Sequence, residues 1–152
     1  MADETLLRRL LAIAVEEARA GWDEGGVPIG AVVADGAGVV LGRGHNRNAQ
    51  HGDATAHGEI DALRNAEYRS TYDGCLLVTT MTPCWMCAGM ARFAGFSVVA
   101  YGDGVTWPTT AADHLAEAGV DVVDLADTEC ISMFAEWLAT DPPIWAGPDT
   151  RQ

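Results

Sequence analysis

"CLLVTTMTPCWMC", residues 75–87, sets an apolar, β-branched run directly before a proline and two cysteines three positions apart. Residues 75–81 read as a buried strand. Pro83 opens a helix running to about Phe93, because a first helical turn has no use for the missing N–H. Cys84 and Cys87 then stand at the start of that helix, where backbone N–H groups and the helix dipole favour thiolate over thiol.

The pattern on either side sets the architecture. Toward the N-terminus, Leu6, Leu7, Leu10, Leu11, Ala14, Val15 and Ala18 recur at helical spacing until Gly25-Gly26. "PIGAVVA" and "GVVLGRG" are strand-like runs joined by Asp35-Gly36-Ala37-Gly38, which predicts a hairpin. "HNRNAQHGD" follows as a polar loop in which His45 and His51 are ordinary polar residues. Helical spacing returns from about Ala54 to Ala66. Toward the C-terminus, "FSVVAYG" (96–102) is a strand, 111–118 a helix, "VDVVDL" a short strand and 128–139 a helix, before the Pro-rich tail "TDPPIWAGPDTRQ". A hairpin followed by strand-helix alternation predicts a layered α/β domain with a mixed sheet between helices.

A length of 152 residues suits one domain, 1–152, and 49% apolar residues suffice for its core. Acidic residues outnumber basic ones 22 to 9, for a formal charge of −13. Such a surface repels phosphate backbones, so a small uncharged substrate is expected and nucleic acid is not. No stretch has the length or apolarity of a bilayer span, and the acidic, charge-interrupted start is unlike a secretory signal. The expected compartment is the cytoplasm, where cysteines stay reduced and a two-residue spacing reads as metal binding or redox chemistry. Cys75 and Cys130 read as small buried hydrophobes.

Upstream, "HGEIDALRNA" (57–66) supplies the rest of a metal constellation. His57, Cys84 and Cys87 give the nitrogen and sulfur donors that zinc prefers, with a fourth corner left for water. Two thiolates and a neutral imidazole balance Zn²⁺. Water on zinc loses a proton near neutral pH, and Glu59 is placed to take it. Residues two apart on an ideal helix point to opposite faces, so His57 and Glu59 serve one centre only where the metal sits at the helix's first turn. Gly58 between them suits close packing there. A thioredoxin-like redox pair and a closed structural site, with Cys75, Cys130 or His114 as fourth ligand, are the alternatives.

H-x-E followed by P-C-x-x-C matches the signature of zinc nucleobase deaminases, in which the glutamate stands outside the metal shell. With "EGGVPIGA", "VLGRGHN", "HGEI", "TTMTPCWMC" and the Trp145-containing tail in order from about Gly25 to Asp149, the chain resembles the fungal-type cytosine deaminases of the cytidine/deoxycytidylate deaminase-like superfamily. The resemblance implies a three-layer α/β/α fold with a central mixed five-stranded sheet, a homodimer, and hydrolysis of cytosine to uracil and ammonia. It implies that His57, Cys84 and Cys87 bind Zn²⁺, that Glu59 shuttles protons, and that Asn46 hydrogen-bonds the base. Ile29, Trp107 and Trp145 would wall the pocket, and Asp149 would hold the ring edge. The chain departs from the family twice: Pro148 stands at the family's aspartate position, with Asp149 one later, and Trp107 replaces a phenylalanine.

Both departures fall on ring-recognising positions, which keeps isocytosine, guanine, creatinine and aminotriazines open as substrates. Transfer-RNA adenosine deamination shares the zinc signature but needs a polyanionic substrate. A non-catalytic zinc protein is the remaining alternative. Taken alone, Asn46 also reads as a turn residue, and Trp107 and Trp145 as packing residues.

Overall fold

Asp3 begins the first helix by accepting the Thr5 N–H on its carboxylate, an N-cap that satisfies one of the helix's unpaired donors. The computed structural model describes residues 2–143. Helix α1 (Glu4–Asp23) buries Leu7, Leu10, Leu11, Ala14, Val15 and Ala18, the stripe expected from the spacing. The hairpin forms as β1 (Gly30–Ala34) and β2 (Val40–His45), and a one-turn helix α2 (Asn48–His51) leads to α3 (Gly58–Asn65). Alternation then follows through β3 (Leu76–Met81), α4 (Trp85–Ala94), β4 (Val98–Asp103), α5 (Ala111–Glu117), β5 (Asp121–Asp124) and α6 (Thr128–Leu138).

The sheet has five strands in the order β2-β1-β3-β4-β5. β1 is antiparallel to β2 and β3, while β3, β4 and β5 run parallel, so the sheet is mixed as expected. Side chains alternate across it. Val32, Ala34, Leu76, Val78 and Ala100 pack with α1 and with Cys130 and Met133 of α6. Ala31, Val33, Leu77 and Val99 pack with Ala62 of α3, Ala88 and Ala91 of α4, and Leu115 of α5. That two-sided burial explains why the central strands read as continuous apolar runs, and it makes the three layers. Each fully buried Leu or Val contributes about 1.5–3 kcal/mol relative to exposure.

One contact sets the position of α3. A Cβ on Gly42 would lie 2.5 Å from both the Ala62 carbonyl and the Ala66 nitrogen, so only glycine lets the helix rest on β2. The C-terminal half of α3 is thereby held against β2, and Gly44 does the same nearer the first turn, where a Cβ would lie 2.7 Å from the Ala62 nitrogen.

Four local expectations are corrected. The stretch 45–53 is not all loop: Asn46 Oδ1 accepts the Asn48 N–H, and Gly52 closes α2 in the left-handed region. His45 is not an ordinary loop residue. It ends β2, is 3% exposed, and sets Nδ1 2.8 Å from Glu17 and Nε2 3.0 Å from Glu24. Pro83 precedes α4 without entering it, because Cys84 is the N-cap. In addition, α3 begins at Gly58, since Asp53 holds a turn by accepting the Thr55 N–H. Cys75 and Cys130 are buried among apolar groups, as read. Trp145 and Asp149 lie outside the described residues. Among the described residues, no helix is long and apolar enough to cross a membrane.

Candidate metal centre and active site

Two helices start at the same place. His57 is the N-cap of α3 and Cys84 the N-cap of α4, both with extended backbone (φ −75°, ψ 158° and φ −73°, ψ 172°). An N-cap escapes helical spacing, so His57 turns toward a point at the helix end while Glu59, in the first turn, reaches the same region. This resolves the two-apart problem posed by the sequence. Cys87 lies one turn above Cys84, on the same face of α4. Gly58 between His57 and Glu59 suits close packing there, since a Cβ would stand 3.0 Å from the Ile29 carbonyl, a tight contact.

His57 Nδ1 is 3.5 Å from Cys84 Sγ and 3.5 Å from Cys87 Sγ. Zinc bonds of about 2.05 Å to nitrogen and about 2.3 Å to sulfur, at a tetrahedral angle, require an N–S edge of about 3.6 Å. The donors fit zinc. Among the described residues, His57, Cys84 and Cys87 are the group of three whose ligand atoms lie within 4.8 Å of one another. Neither Cys75, Cys130 nor His114 joins them; His114 pairs with Arg92 and rests on Trp85.

The sulfurs already favour negative charge. Cys84 is lowered to about 4, first by the hydrogen bond from Cys87 and further by His57. Cys87 is raised by that same bond and then by burial. The pair thus shares one proton, which a divalent cation would displace. Glu59 is 4% exposed, and burial pushes its carboxyl above the usual range, with Cys84 adding to the rise and His57 opposing it. A carboxyl in that condition can hold and release a proton nearer neutrality than an exposed one.

Ile29, Asn46, His57, Glu59, Cys84 and Trp107 line one cavity. Six of the nine residues expected at the site therefore meet on one space. Cys87 is fully buried behind it, and Trp145 and Asp149 fall outside the described residues. Met81 and Thr82 also line the cavity and were not expected. Their only signal was position, as the last two residues before Pro83. An adjoining open space shares His57, Thr82, Cys84 and Trp107 and adds Trp85, Met86 and Thr109.

Asp103 ties the walls together. Its carbonyl accepts both the N–H and the hydroxyl of Thr82 at 3.0 Å, fixing the end of β3 ahead of Cys84. Its buried carboxylate accepts the Val105 and Thr106 N–H groups at 2.9 Å, shaping the turn that presents Trp107. Ile29 and Trp107 then pack on the apolar cluster of Val27, Met81, Phe134 and Trp137.

A family model described as the cytidine and deoxycytidylate deaminase zinc-binding region matches residues 4–103. The cytosine deaminase of Candida albicans is 39% identical over 137 residues, covering 89% of this chain and 91% of that protein. The guanine deaminase of Bacillus subtilis is 36% identical over 126 residues, covering 80% of this chain and 72% of that protein. A solved guanine deaminase from Nitrosomonas europaea superposes with a TM-score of 0.73 over 91% of this chain and 86% of that one; at 24% identity this likeness is one of fold. A five-stranded mixed sheet, a His-Cys-Cys donor set at two helix starts and a family match over residues 4–103 agree: the chain belongs to the cytidine and deoxycytidylate deaminase zinc-binding family.

Proposed function

We propose that the chain hydrolyses the exocyclic amine of a free nucleobase, cytosine first, giving uracil and ammonia, with zinc as its cofactor. The observation that carries this reading is Glu59: a buried carboxyl, outside the donor group, facing the same cavity as His57 and Cys84. His57 Nδ1 and the sulfurs of Cys84 and Cys87 would hold the zinc. When bound, zinc with three protein ligands supplies Lewis acidity at its fourth position and brings a water there near neutrality in pKa.

Glu59 takes a proton from the attacking water on a carboxylate oxygen and delivers it to ring N3, which makes C4 more electrophilic. As the water oxygen adds at C4, Glu59 accepts the second proton and passes it to the amine, which leaves as ammonia. Asn46 accepts from N1–H and donates to O2, since one amide carries both functions. A nucleoside has its sugar at N1 and leaves that acceptor unpaired, at about 1–3 kcal/mol. Ile29 and Trp107 flank the ring.

The Bacillus relative supports a second reading, guanine, and the adjoining space beside Trp107 offers room for a second ring. A charge of −13 speaks against transfer RNA and for a small neutral substrate. We further propose a single domain that works in the cytoplasm as a homodimer; exposed Trp85, Met86 and Phe93 along α4 supply an apolar face of the kind that subunits bury. The test is ammonia release from cytosine, isocytosine, guanine, creatinine and cytidine by zinc-loaded protein. Turnover of cytosine with little from cytidine supports the reading, and no ammonia from any ring overturns it.

A further inference from the structure

The amide of Asn46 does not stand alone in the cavity wall. Its Oδ1 accepts the backbone N–H of Asn48 at 3.1 Å, and its Nδ2 donates to Asn48 Oδ1 at 2.9 Å. Asn48 is pinned in turn, with Nδ2 donating to the Asp53 carbonyl at 2.6 Å. These contacts decide which end of each amide is which. A backbone N–H can only donate, so the Asn46 atom facing it is oxygen; a backbone carbonyl can only accept, so the Asn48 atom facing it is nitrogen. Turning the Asn46 amide over would set N–H against N–H and oxygen against oxygen, losing both bonds.

Asn46 is 3% exposed, its own N–H is held by the Ile29 carbonyl at 2.9 Å, and its carbonyl accepts from Gln50. The backbone is therefore fixed, and the remaining freedom is the amide flip. With Asn48 in place, one Oδ1 lone pair and one Nδ2 proton stay available to a ligand in the cavity, in a set order.

We propose that Asn48 is a positioning residue that fixes the donor–acceptor sense of the Asn46 amide toward the bound ring and thereby sets which ring edge is accepted. The substrate side of this inference rests on the nucleobase reading above. The amide side does not. Asn48→Ala keeps the backbone N–H but removes the acceptor for Asn46 Nδ2 and the link to Asp53. Asn48→Asp restores the acceptor alone.

The experiment is steady-state ammonia release from cytosine and isocytosine by the zinc-loaded wild type, Asn48→Ala and Asn48→Asp. Alongside it, NMR follows the Asn46 side-chain NH₂ pair, assigned by its loss in Asn46→Ala, in protein without substrate. Asn48→Ala is expected to raise KM for cytosine about tenfold, the worth of one ordinary hydrogen bond. Its kcat stays within about twofold, its preference for cytosine over isocytosine narrows, and Asn48→Asp recovers most of the KM. Unchanged KM and preference in Asn48→Ala overturn the proposal, as does an equal loss of kcat and thermal stability in both variants. If the wild type releases no ammonia from either ring, the nucleobase reading has failed and the NMR decides alone. Faster NH₂ exchange in Asn48→Ala then supports positioning, and unchanged exchange overturns it.

Discussion

Replacing Glu59 with glutamine separates the proton shuttle from the metal centre. The two side chains have the same shape, and the site is 4% exposed, so packing is preserved. Glutamine cannot take or give a proton near neutrality. A positioned general acid–base contributes about 10²–10⁴-fold, and here one group serves two transfers, so kcat is expected to fall by at least about 10⁴, or about 5.5 kcal/mol of barrier. Zinc content should stay at the wild-type level, because Glu59 is outside the donor group. Stability supplies a second sign. Burial raises the folded-state carboxyl above its ordinary value, so the unfolded chain releases its proton first as pH rises. Stability of the chelated wild type is therefore lost upward from about pH 4.5 until the folded-state carboxyl has ionised. The glutamine variant lacks this loss, so its Tm advantage in chelated protein should grow with pH across that window. Ammonia release, atomic absorption and thermal melts at stepped pH read all three. A variant keeping more than about a tenth of wild-type kcat would refute the shuttle, since even the low end of general acid–base catalysis exceeds that factor.

Cys84→Ser replaces the sulfur already poised as thiolate, and is expected to lower zinc affinity at least about tenfold and to lose activity unless zinc is in excess; competitive chelator titration checks this. Gly42→Ala drives a Cβ into the backbone of α3 and should cost about 1–3 kcal/mol in urea unfolding, with KM rising as the His57 end of the helix shifts. Asp103→Ala leaves the Val105 and Thr106 N–H groups without their acceptor, at about 1–3 kcal/mol each where they stay buried, and loosens the turn before Trp107. Its expected signature is a raised KM with zinc content unchanged.

Much of this was legible in the chain. Alternation along Val32, Val33 and Ala34, and along Leu76, Leu77 and Val78, reports a sheet covered on both faces, which is what strand-helix alternation implies. The donor set was legible because zinc restricts residue types so strongly. What the local sequence does not reveal depends on contacts between distant segments. His45 read as a polar loop residue because nothing nearby in sequence reveals Glu17 and Glu24 closing on both ring nitrogens from α1. Thr82 and Asp103 are joined through a strand pairing that brings residues 21 apart together. The helix expected to open at Pro83 starts two residues later, at Trp85, because proline suits several positions around a helix start, and only the extended backbone of Cys84 shows which one it takes.

Zinc titration into chelated protein tests the central claim most directly, with metal content and ammonia release from cytosine measured on the same samples. Activity should rise in proportion to bound zinc and level off at one ion per chain. His57→Ala, assayed the same way, should bind zinc more weakly and stay inactive at stoichiometric metal. Full turnover in protein holding no divalent metal would contradict the account.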